Sequence, residues 1–517
     1  MVKSVNAAWW VQRWSELHPD KTAIIFEDRQ ISYKELNRAA NGTACWLQSL
    51  GIEKGDRLAV LLENCPEFIE IYLACARLGA IFVPLNFRLA APEIDYLIRH
   101  CRPRLLISSP RFLATVGCLD LDEYKPPLYA ALVGGARASG RMLDYETETQ
   151  QYLNETPIVT PSLGPADPEE PHVIMYTSGT TGRPKGAVLS HRKTFFNCLN
   201  AEIFFQLSFH DRMLILLPLF HSGGLFIQAS PCLYKGATLL IHSRFNAVKA
   251  FYDIEHYQAT KLLGVPAVYR SLLDVDPDKK RDLASLSVCA IGGEKVTSEL
   301  LLECWHNGFP LRQIMGQTET SILLWASEEE SLQRPGTVGR PVFHAEVTLV
   351  DGAGRRVGVN EIGEIAVRGS ILMKEYWQDP VQTEQVMGGG WLRTGDLARM
   401  DADGYFYLVD RAKDMFISGG ENVYPAEIER VLREHPAVED VAVIGKPDAK
   451  WGEVGHACVI CKPAVDVTEE HLLFFCRGRL ASYKLPKRII FCESFPRTPL
   501  GKVRKFLLQQ HSNDEDT

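Results

Sequence analysis

The sequence has neither an excess of basic charge nor a long apolar run. Its 517 residues include 56 lysines and arginines against 64 aspartates and glutamates, for a net charge of −8. Such a chain has no general attraction for nucleic acid or anionic lipid, so we expect neither as a partner. No stretch approaches the ~18 apolar residues needed to span a bilayer, so we expect no integral membrane segment.

Cysteines are present but are not arranged as in secreted disulfide scaffolds. The 13 cysteines are odd in number and scattered, and residues 1–16 lack the continuous apolar stretch of a signal peptide. Cys458 and Cys461 form a Cys-x-x-Cys pair inside an apolar run that predicts a strand, with no histidine cluster nearby. We therefore expect a cytoplasmic protein, and core packing rather than metal binding for this pair.

The apolar pattern predicts a large α/β body. Apolar residues make up 46% of the chain and charged residues 23%, as in a globular protein. Ser32 and Glu35 form a capping box that predicts a helix start. Short apolar runs then alternate with helical spacing, which predicts doubly wound parallel sheets. These runs lie at 58–62, 80–85, 105–107, 173–176, 213–217, 238–241 and 288–291.

The pattern changes in the last third of the chain. After Gly336, short alternating runs separated by turn dipeptides predict a small antiparallel barrel or sheet. From Asp414 onward, helical spacing at 425–434 and 469–480 and strand-like runs between them predict a separate α+β domain of about a hundred residues.

A segment rich in glycine and hydroxyl residues follows the run at 173–176. Residues 176–186 read Tyr-Thr-Ser-Gly-Thr-Thr-Gly-Arg-Pro-Lys-Gly, with three glycines and four serines or threonines. Backbone N–H groups and hydroxyls in such a loop can surround phosphate oxygens, because glycine permits close approach. The chain contains no Gly-Lys-Ser/Thr, which excludes a Walker A loop. On composition alone, a surface linker is the alternative interpretation.

Six segments, in order along the chain, resemble the motifs of one superfamily. They are the loop at 176–186, Leu-Pro-Leu-Phe-His-Ser-Gly-Gly at 217–224, Met-Gly-Gln-Thr-Glu at 315–319, Trp-Leu-Arg-Thr-Gly-Asp at 391–396, Asp-Arg-Ala-Lys at 410–413 with Gly419-Gly420, and Pro-Arg-Thr-Pro-Leu-Gly-Lys at 496–502. In these motifs the chain is similar to the adenylate-forming acyl-CoA synthetases, whose superfamily includes luciferases and peptide-synthetase adenylation domains. The resemblance covers essentially the whole chain.

The resemblance implies a ligase that uses ATP, Mg²⁺ and coenzyme A to activate a small carboxylic acid. The carboxylate attacks the α-phosphate of ATP to give acyl-AMP and pyrophosphate, and a thiol then displaces AMP to give a thioester. The protein's contribution is charge neutralisation and alignment. The resemblance also divides the chain into an N-terminal adenylate-forming domain, 1–412, and a mobile C-terminal domain, 413–517.

The resemblance assigns catalytic and nucleotide-binding roles residue by residue. Lys502 is expected to neutralise charge between the acyl carboxylate and the α-phosphate, Glu319 with Thr180 to hold Mg²⁺, and Asp396 with Arg411 to bind the ribose. The other ATP- or AMP-binding residues are expected to be Thr177, Ser178, Gly179, Thr181, Gly182, Lys185, Gly293, Glu294, Gly316, Gln317 and Thr318. Without the resemblance, Lys502 would be interpreted as one of several basic residues in a surface tail, Glu319 as an exposed loop residue and Asp396 as a turn or helix-cap residue.

The expected acyl pocket consists mostly of small or apolar residues and supplies no second cation. A hydrophobic monocarboxylic acid, whether fatty, aromatic or alicyclic, is therefore favoured over a dicarboxylate or an amino acid. His221 is either a catalytic pocket residue or a satisfied core histidine. Met315 stands where the family commonly has an aromatic residue. The expected pocket residues are Phe220, His221, Gly223, Gly224, Val265, Gly292 and Gln317.

Lys413 matches the family's hinge, at which the C-terminal domain pivots between the two half-reactions. Gly419 and Gly420 are then expected to line the pantetheine channel of CoA, whereas without the resemblance 414–420 is a linker. Two other functions stay open, namely loading of a carrier-protein thiol and a catalytically silent nucleotide-binding regulator. The presence of Lys502, Glu319 and Asp396 argues against the regulator. The oligomeric state is expected to be a monomer or a homodimer.

Overall fold

The computed structural model describes residues 5–119, 129–134, 142–154, 167–177, 183–275, 281–293, 296–411, 415–462, 467–496, 503, 505 and 507–509. The chain forms two compact units. The first, here called the body, comprises Met1–Phe87, Ile98–Tyr176 and Gly186–Asp410; the second, the small unit, comprises Arg88–Leu97, Thr177–Lys185 and Arg411–Thr517. The division at 412/413 stays a prediction.

The described strands are numbered in chain order. They are β1 Thr22–Phe26, β2 Arg29–Ser32, β3 Arg57–Leu61, β4 Ile81–Pro84, β5 Leu105–Ser108, β6 Tyr129–Leu132, β7 Met142–Asp144, β8 Pro171–Thr177, β9 Lys185–Ser190, β10 Arg212–Ile215, β11 Thr238–Ile241, β12 Lys261–Gly264, β13 Val288–Gly292, β14 Leu311–Gln317, β15 Ser321–Ala326, β16 Arg340–Pro341, β17 Glu346–Val350, β18 Ile362–Arg368, β19 Glu375–Tyr376, β20 Met387–Gly388, β21 Trp391–Met400, β22 Phe406–Arg411, β23 Phe416–Ser418, β24 Glu421–Val423, β25 Val438–Asp448, β26 Gly452–Cys461 and β27 Arg488–Phe491.

The described helices are numbered in the same way. They are α1 Ala7–Leu17, α2 Tyr33–Ser49, α3 Pro66–Leu78, α4 Ala91–Cys101, α5 Leu113–Gly117, α6 Tyr145–Asn154, α7 His191–Phe205, α8 Ser230–Lys235, α9 Ala247–Tyr257, α10 Pro266–Val275, α11 Ser298–His306, α12 Glu328–Gln333, α13 Pro380–Val386, α14 Pro425–Arg433 and α15 Glu469–Cys476. A π-helical segment spans Gly223–Ala229. Over the described part of the chain, no helix is both long enough and apolar enough to cross a membrane.

A nine-stranded sheet forms one half of the body. Its order is β16-β15-β14-β13-β12-β10-β11-β1-β2, with parallel pairing from β14 to β1 and antiparallel strands at both edges. Successive side chains of a strand point to opposite faces. Ile24 accordingly packs in one apolar cluster and Ile25 in another, so both faces are covered. The near-continuous apolar runs of the sequence are the consequence.

An eight-stranded sheet forms the other half, in the order β19-β9-β8-β4-β3-β5-β6-β7. Its strands from β8 to β7 pair in parallel, and β19 is antiparallel to β9. Side chains from both sheets and from the helices between them share one large apolar core. At the start of α2, Ser32 and Glu35 make both hydrogen bonds of the predicted capping box. The doubly wound α/β body is thus confirmed.

The body also carries the predicted antiparallel sheet after Gly336. Its order is β17-β18-β21-β20, with β22 on β21. Neighbouring strands from β17 to β20 pair in antiparallel register, and a register shift lies between Glu364 and Ala366. This irregularity lies opposite residues 391–396, the motif that contains Asp396.

The small unit has the predicted α+β composition. Its sheet has the order β24-β23-β26-β25, with β27 parallel to β26, and α14 and α15 pack in its apolar core. The helix predicted over 469–480 is shorter than expected and ends at Cys476, because Arg477 is extended at ψ 136° and Gly478 has a φ of +74°. A positive φ at glycine ends a helix at little cost.

Candidate active site

Three of the predicted segments lie at one edge of the nine-stranded sheet. The adjacent parallel strands β12, β13 and β14 end at Gly264, Gly292 and Gln317. The carboxyl ends of parallel strands meet at one edge, where α/β proteins bind ligands. Gly293 has a φ of +84°, and an added Cβ would lie 3.3 Å from Val265 Cγ1, so these two predicted residues are neighbours.

Glycine is required at two strand ends of this edge. A Cβ at Gly292 would lie 2.1 Å from the carbonyl oxygen of Ile314, and one at Gly316 would lie 1.9 Å from that of Ser321. The side-chain amide nitrogen of Gln317, Nε2, is buried and has no hydrogen-bond partner among the described residues. A buried donor of this kind needs an acceptor, so Gln317 is suited to bind a ligand. The Met315 side chain is buried in the apolar core.

Glu319 lies in the tight turn that joins β14 to β15. Its backbone oxygen accepts a hydrogen bond from Met373 N at 2.7 Å, and Tyr376 Oη donates to its Oε1 at 2.8 Å. The residue is only 8% exposed. A carboxylate held in this way is a hard oxygen ligand, the type that Mg²⁺ prefers, so the donor chemistry fits the predicted metal.

Tyr376 was missed by sequence reasoning. It lies on the two-residue strand β19, which pairs with β9, and its hydroxyl reaches a carboxylate 57 positions away in the sequence. A buried tyrosine hydroxyl requires a partner. The sequence gives no signal of which residue that partner is.

Asp396 is positioned by the irregular pairing of β18 and β21. Gly395 has a φ of +79° and donates its N–H to Glu364 Oε1 at 2.8 Å, while Asp396 N donates to Thr394 Oγ1 at 3.1 Å. Glu364 also pairs with Arg393 at 2.8 Å. These contacts fix the backbone on both sides of Asp396, which is 6% exposed. Glu364 is a second supporting residue that the motif did not reveal.

The motif at 217–224, here called the acyl segment because it contains most of the expected acyl-pocket residues, leads into the π-helical turn at Gly223–Ala229. A Cβ at Gly224 would lie 2.3 Å from Pro218 O, so the backbone at Gly224 is too close to that of Pro218 for any residue except glycine. Phe220 is buried and meets Phe87 edge-on at 5.0 Å, whereas His221 is partly exposed with its ring 4.3 Å from that of Phe220. Partial exposure favours the pocket interpretation of His221 over that of a core histidine.

Asn64 holds the start of this segment and was also missed. Its amide nitrogen donates to Leu217 O at 3.0 Å and to His242 O at 3.1 Å, and its oxygen accepts from Leu219 N at 2.7 Å. Asn64 lies 153 positions before Leu217. It therefore fixes the entry to the acyl segment through contacts that no local pattern predicts.

In the small unit, Gly419 and Gly420 form the two-residue turn between β23 and β24. Their φ values of +58° and +81° are those of a tight hairpin turn that favours glycine at both positions. Gly419 N donates to Trp451 O at 2.8 Å, and an added Cβ would lie 3.0 Å from the indole ring. Trp451 was not predicted as a site residue.

Several predicted residues lie outside the described residues. They are Ser178, Gly179, Thr180, Thr181, Gly182, Glu294, Lys413 and Lys502, together with the side chain of Arg411. Thr177 ends β8 and Lys185 begins β9, so the strands that flank the phosphate loop are described. Thr318 lies beside Glu319 in the turn after β14. The roles of all these residues stay predictions.

The chain is similar to known proteins along most of its length. Residues 11–377 match the AMP-binding enzyme family, and residues 427–502 match the AMP-binding enzyme C-terminal domain. The chain is 39% identical over 498 residues to an indoleacetate–CoA ligase of Aromatoleum aromaticum, with 96% of each chain covered. It is 37% identical to a feruloyl-CoA synthase of an Amycolatopsis species, with 96% and 97% covered.

A solved structure agrees with these sequence matches. The o-succinylbenzoate CoA synthetase of Bacillus subtilis, solved as a double mutant bound to a product analogue, has a TM-score of 0.85 and 31% identity to this chain. The similarity covers 97% of this chain and 98% of that protein. The likeness thus extends over both units rather than over the body alone.

Proposed function

Since the chain belongs to the AMP-binding enzyme family, we propose that it joins a hydrophobic, aromatic monocarboxylic acid to coenzyme A. The reaction class is that of the AMP-forming acyl-CoA synthetases: ATP and an acid give acyl-AMP and pyrophosphate, and CoA then gives acyl-CoA and AMP. The choice of an aromatic acid is our proposal. It is supported by the relatives named as an indoleacetate–CoA ligase and a feruloyl-CoA synthase.

The acyl segment supports this choice of acid. Residues 220–229 contain no lysine or arginine, and Phe220 meets Phe87 edge-on. Lys193 lies beside Phe226, but its Nζ donates to Ser321. A second carboxylate buried here would need a cationic partner. An aromatic ring gains from edge-on and offset contacts with phenylalanine, so an aryl group suits this segment.

In the first half-reaction, residues at the edge of the nine-stranded sheet would hold the nucleotide together with Asp396 on β21. We assign Asp396 to the ribose hydroxyls, the glycines at 292–293 and 316 to close backbone approach, and Gln317 to donate a hydrogen bond. Glu319 with Thr180 would hold Mg²⁺, which when bound neutralises phosphate charge. Lys502 is assigned to the carboxylate and the α-phosphate, where negative charge accumulates as the two anions approach.

In the second half-reaction, the CoA thiol releases its proton to solvent as its sulfur bonds to the acyl carbon, and AMP leaves with the electron pair of the broken C–O bond. We assign Gly419 and Gly420 to the pantetheine channel, because a glycine pair presents bare backbone to a narrow ligand. Lys413 is assigned as the hinge at which the small unit changes the face it presents. Loading of a carrier protein and a silent regulator are not favoured, since the relatives are named as CoA ligases and synthetases.

The test is a panel of acids with the full chain, ATP and Mg²⁺. Arylacetates, hydroxycinnamates, benzoates, alicyclic acids and fatty acids are compared by pyrophosphate release and by thioester formation, with and without CoA. We expect the highest kcat/KM for an aromatic acid. A fatty acid with a higher kcat/KM would contradict the aromatic proposal, and no pyrophosphate release with any acid would contradict catalysis.

Lys502→Ala in the same panel separates the two half-reactions. We expect it to lose acid-dependent pyrophosphate release by about 10²–10³-fold, the usual effect of removing one stabilising charge or donor. Thioester formation from supplied acyl-AMP should continue. Equal loss of both steps would contradict the role assigned to Lys502.

A further inference from the structure

Lys193 is a fully buried lysine next to the proposed metal-binding turn, and none of the motifs includes it. It lies in the first turn of α7, where its backbone N–H donates to the capping side chain of Ser190 at 3.3 Å. Its side chain is 0% exposed. Lysine is almost never buried completely unless its ammonium group has a partner, so the contacts of Nζ define its role.

Nζ contacts both the turn that carries Glu319 and the π-helical segment. Lys193 Nζ donates to Ser321 Oγ, and it lies 5.1 Å from the centroid of the Phe226 ring. Ser321 follows Glu319 by two residues and has a φ of +57°. This left-handed conformation is unfavourable for a non-glycine residue. The hydrogen bond to Lys193 thus holds the turn at its strained residue.

The same helix makes a second attachment one turn further on. Asn197 Oδ1 accepts from Ile322 N at 3.4 Å, and Asn197 Nδ2 donates to Phe226 O. Residues four apart lie on one face of a helix. One face of α7 therefore holds the start of β15 and the π-helical segment, which places Glu319 and the acyl segment on a common support.

Electrostatics agree with this placement. Burial lowers the pKa of Lys193 to about 7, and the Glu319 carboxylate partly opposes that effect, as a negative charge close to the ammonium must.

We propose that Lys193 is a positioning residue for acyl-adenylate formation: through Ser321 it fixes the turn and so the direction of the Glu319 carboxylate. This inference rests on the proposed role of Glu319 as a Mg²⁺ ligand. The effect of Lys193 is confined to acyl-adenylate formation, the half-reaction in which Mg²⁺ and the phosphates are used. A metal ligand displaced by a fraction of an ångström loses its geometry, because Mg²⁺ demands near-ideal octahedral coordination.

Lys261, at the start of β12, offers a control. It is also buried, its Nζ donates to Ser287 Oγ at 2.7 Å, and Asp211 lies 3.5 Å away. It begins β12, however, and so lies at the opposite end of that strand from the proposed site. Lys261→Met removes the same chemical group as Lys193→Met without touching the turn.

The experiment compares wild type, Lys193→Met, Lys261→Met and Ser321→Ala. Pyrophosphate release is measured across Mg²⁺ concentrations, thioester formation from supplied acyl-AMP is measured separately, and thermal denaturation gives the rise in Tm caused by ATP with Mg²⁺ or with a chelator. For Lys193→Met we expect pyrophosphate release to fall about 10- to 100-fold. Its half-saturating Mg²⁺ concentration should rise, and its Mg²⁺-dependent Tm gain should be lost. Its thioester step should stay within about twofold of wild type.

Lys261→Met should lower Tm but keep the wild-type Mg²⁺ dependence. Ser321→Ala should act in the direction of Lys193→Met and less strongly. The proposal is overturned if Lys193→Met changes Tm alone, as Lys261→Met is expected to do. If Lys193→Met does not fold, Ser321→Ala decides, and a wild-type Mg²⁺ dependence there overturns the proposal. A wild type without Mg²⁺-dependent ATP stabilisation would instead overturn the role of Glu319 and this inference with it.

Discussion

Two buried lysines, one in each unit, have different partners. In the body, Lys193 donates to a serine hydroxyl, and burial lowers its pKa to about 7. In the small unit, Lys484 Nζ lies 2.6 Å from Glu93 Oε1 and 2.8 Å from Glu427 Oε2. Burial alone would lower the pKa of Lys484, but Glu427 and Glu93 outweigh it and raise the pKa above the usual value.

Two buried histidines of the body follow the pattern of Lys193. His172 and His191 stack with their rings 4.3 Å apart, and burial lowers the pKa of His191 to about 4 and that of His172 well below its usual value. Neither ring nitrogen of His172 has a partner among the described residues.

The difference between Lys193 and Lys484 shows that burial alone does not decide the charge of a base. The number and distance of the neighbouring carboxylates also matter. Lys484 has two, at 2.6 and 2.8 Å, and its pKa is raised, whereas Lys261 has Asp211 at 3.5 Å and its pKa is lowered.

The largest expected effect is on the ion-paired lysine of the small unit. Lys484→Met leaves Glu93 and Glu427 buried without their cation, and breaking a buried pair in this way costs about 3–5 kcal/mol. The loss should be smaller at pH 5 than at pH 8, because the freed carboxyls can then bind protons. Calorimetry of the full chain measures it, with the exposed Lys487→Met as control. Similar Tm values for the two variants would show that the buried ion pairs of Lys484 do not stabilise the protein.

A smaller effect is expected for the neutral histidines of the body. Below pH 6.5 the unfolded chain binds protons that buried His172 and His191 do not, so stability falls as pH falls from 6.5 towards 4. His172→Phe should reduce this slope by up to about 1.4 kcal/mol per pH unit. Denaturation curves across this pH range test it. The exposed His256→Gln should keep the wild-type slope, and a wild-type slope in His172→Phe would mean that His172 is charged in the fold.

The smallest expected change in stability compares two glycine turns, one in each unit. Gly389-Gly390 in the body and Gly419-Gly420 in the small unit have the same φ values, +58° and +81°. Alanine at either first position should cost about 1–2 kcal/mol, because the left-handed region disfavours a Cβ. At Gly419 the Cβ would also meet Trp451, whereas at Gly389 it meets no atom within 4 Å.

Thioester formation from supplied acyl-AMP separates the two turns. We expect Gly419→Ala to slow it and Gly389→Ala to leave it unchanged, since only the former is assigned to the pantetheine channel. Equal rates of thioester formation for the two variants at matched stability would contradict the assignment of Gly419 and Gly420 to the pantetheine channel.

The sequence by itself determined the architecture and the order of the site segments. The apolar run at 288–291 became β13, and Ser32 with Glu35 formed the predicted cap, because strand period and helix capping are encoded within a few neighbouring residues. Glycine is needed at positions such as 224 and 316, where a Cβ would collide with the carbonyl oxygen of a nearby backbone segment. Such local requirements leave a mark in the sequence even when the partner atom is unknown.

Only the tertiary structure decided which side chains support the site. Tyr376 reaches Glu319 across 57 positions, Lys193 reaches Ser321 across 128, and Asn64 reaches Leu217 across 153. The helix at 469–480 likewise ended early at Cys476, where the chain turns at Gly478. Contacts of this range depend on how sheets and helices pack together, and a single polar residue in a local pattern does not specify which distant group will satisfy it.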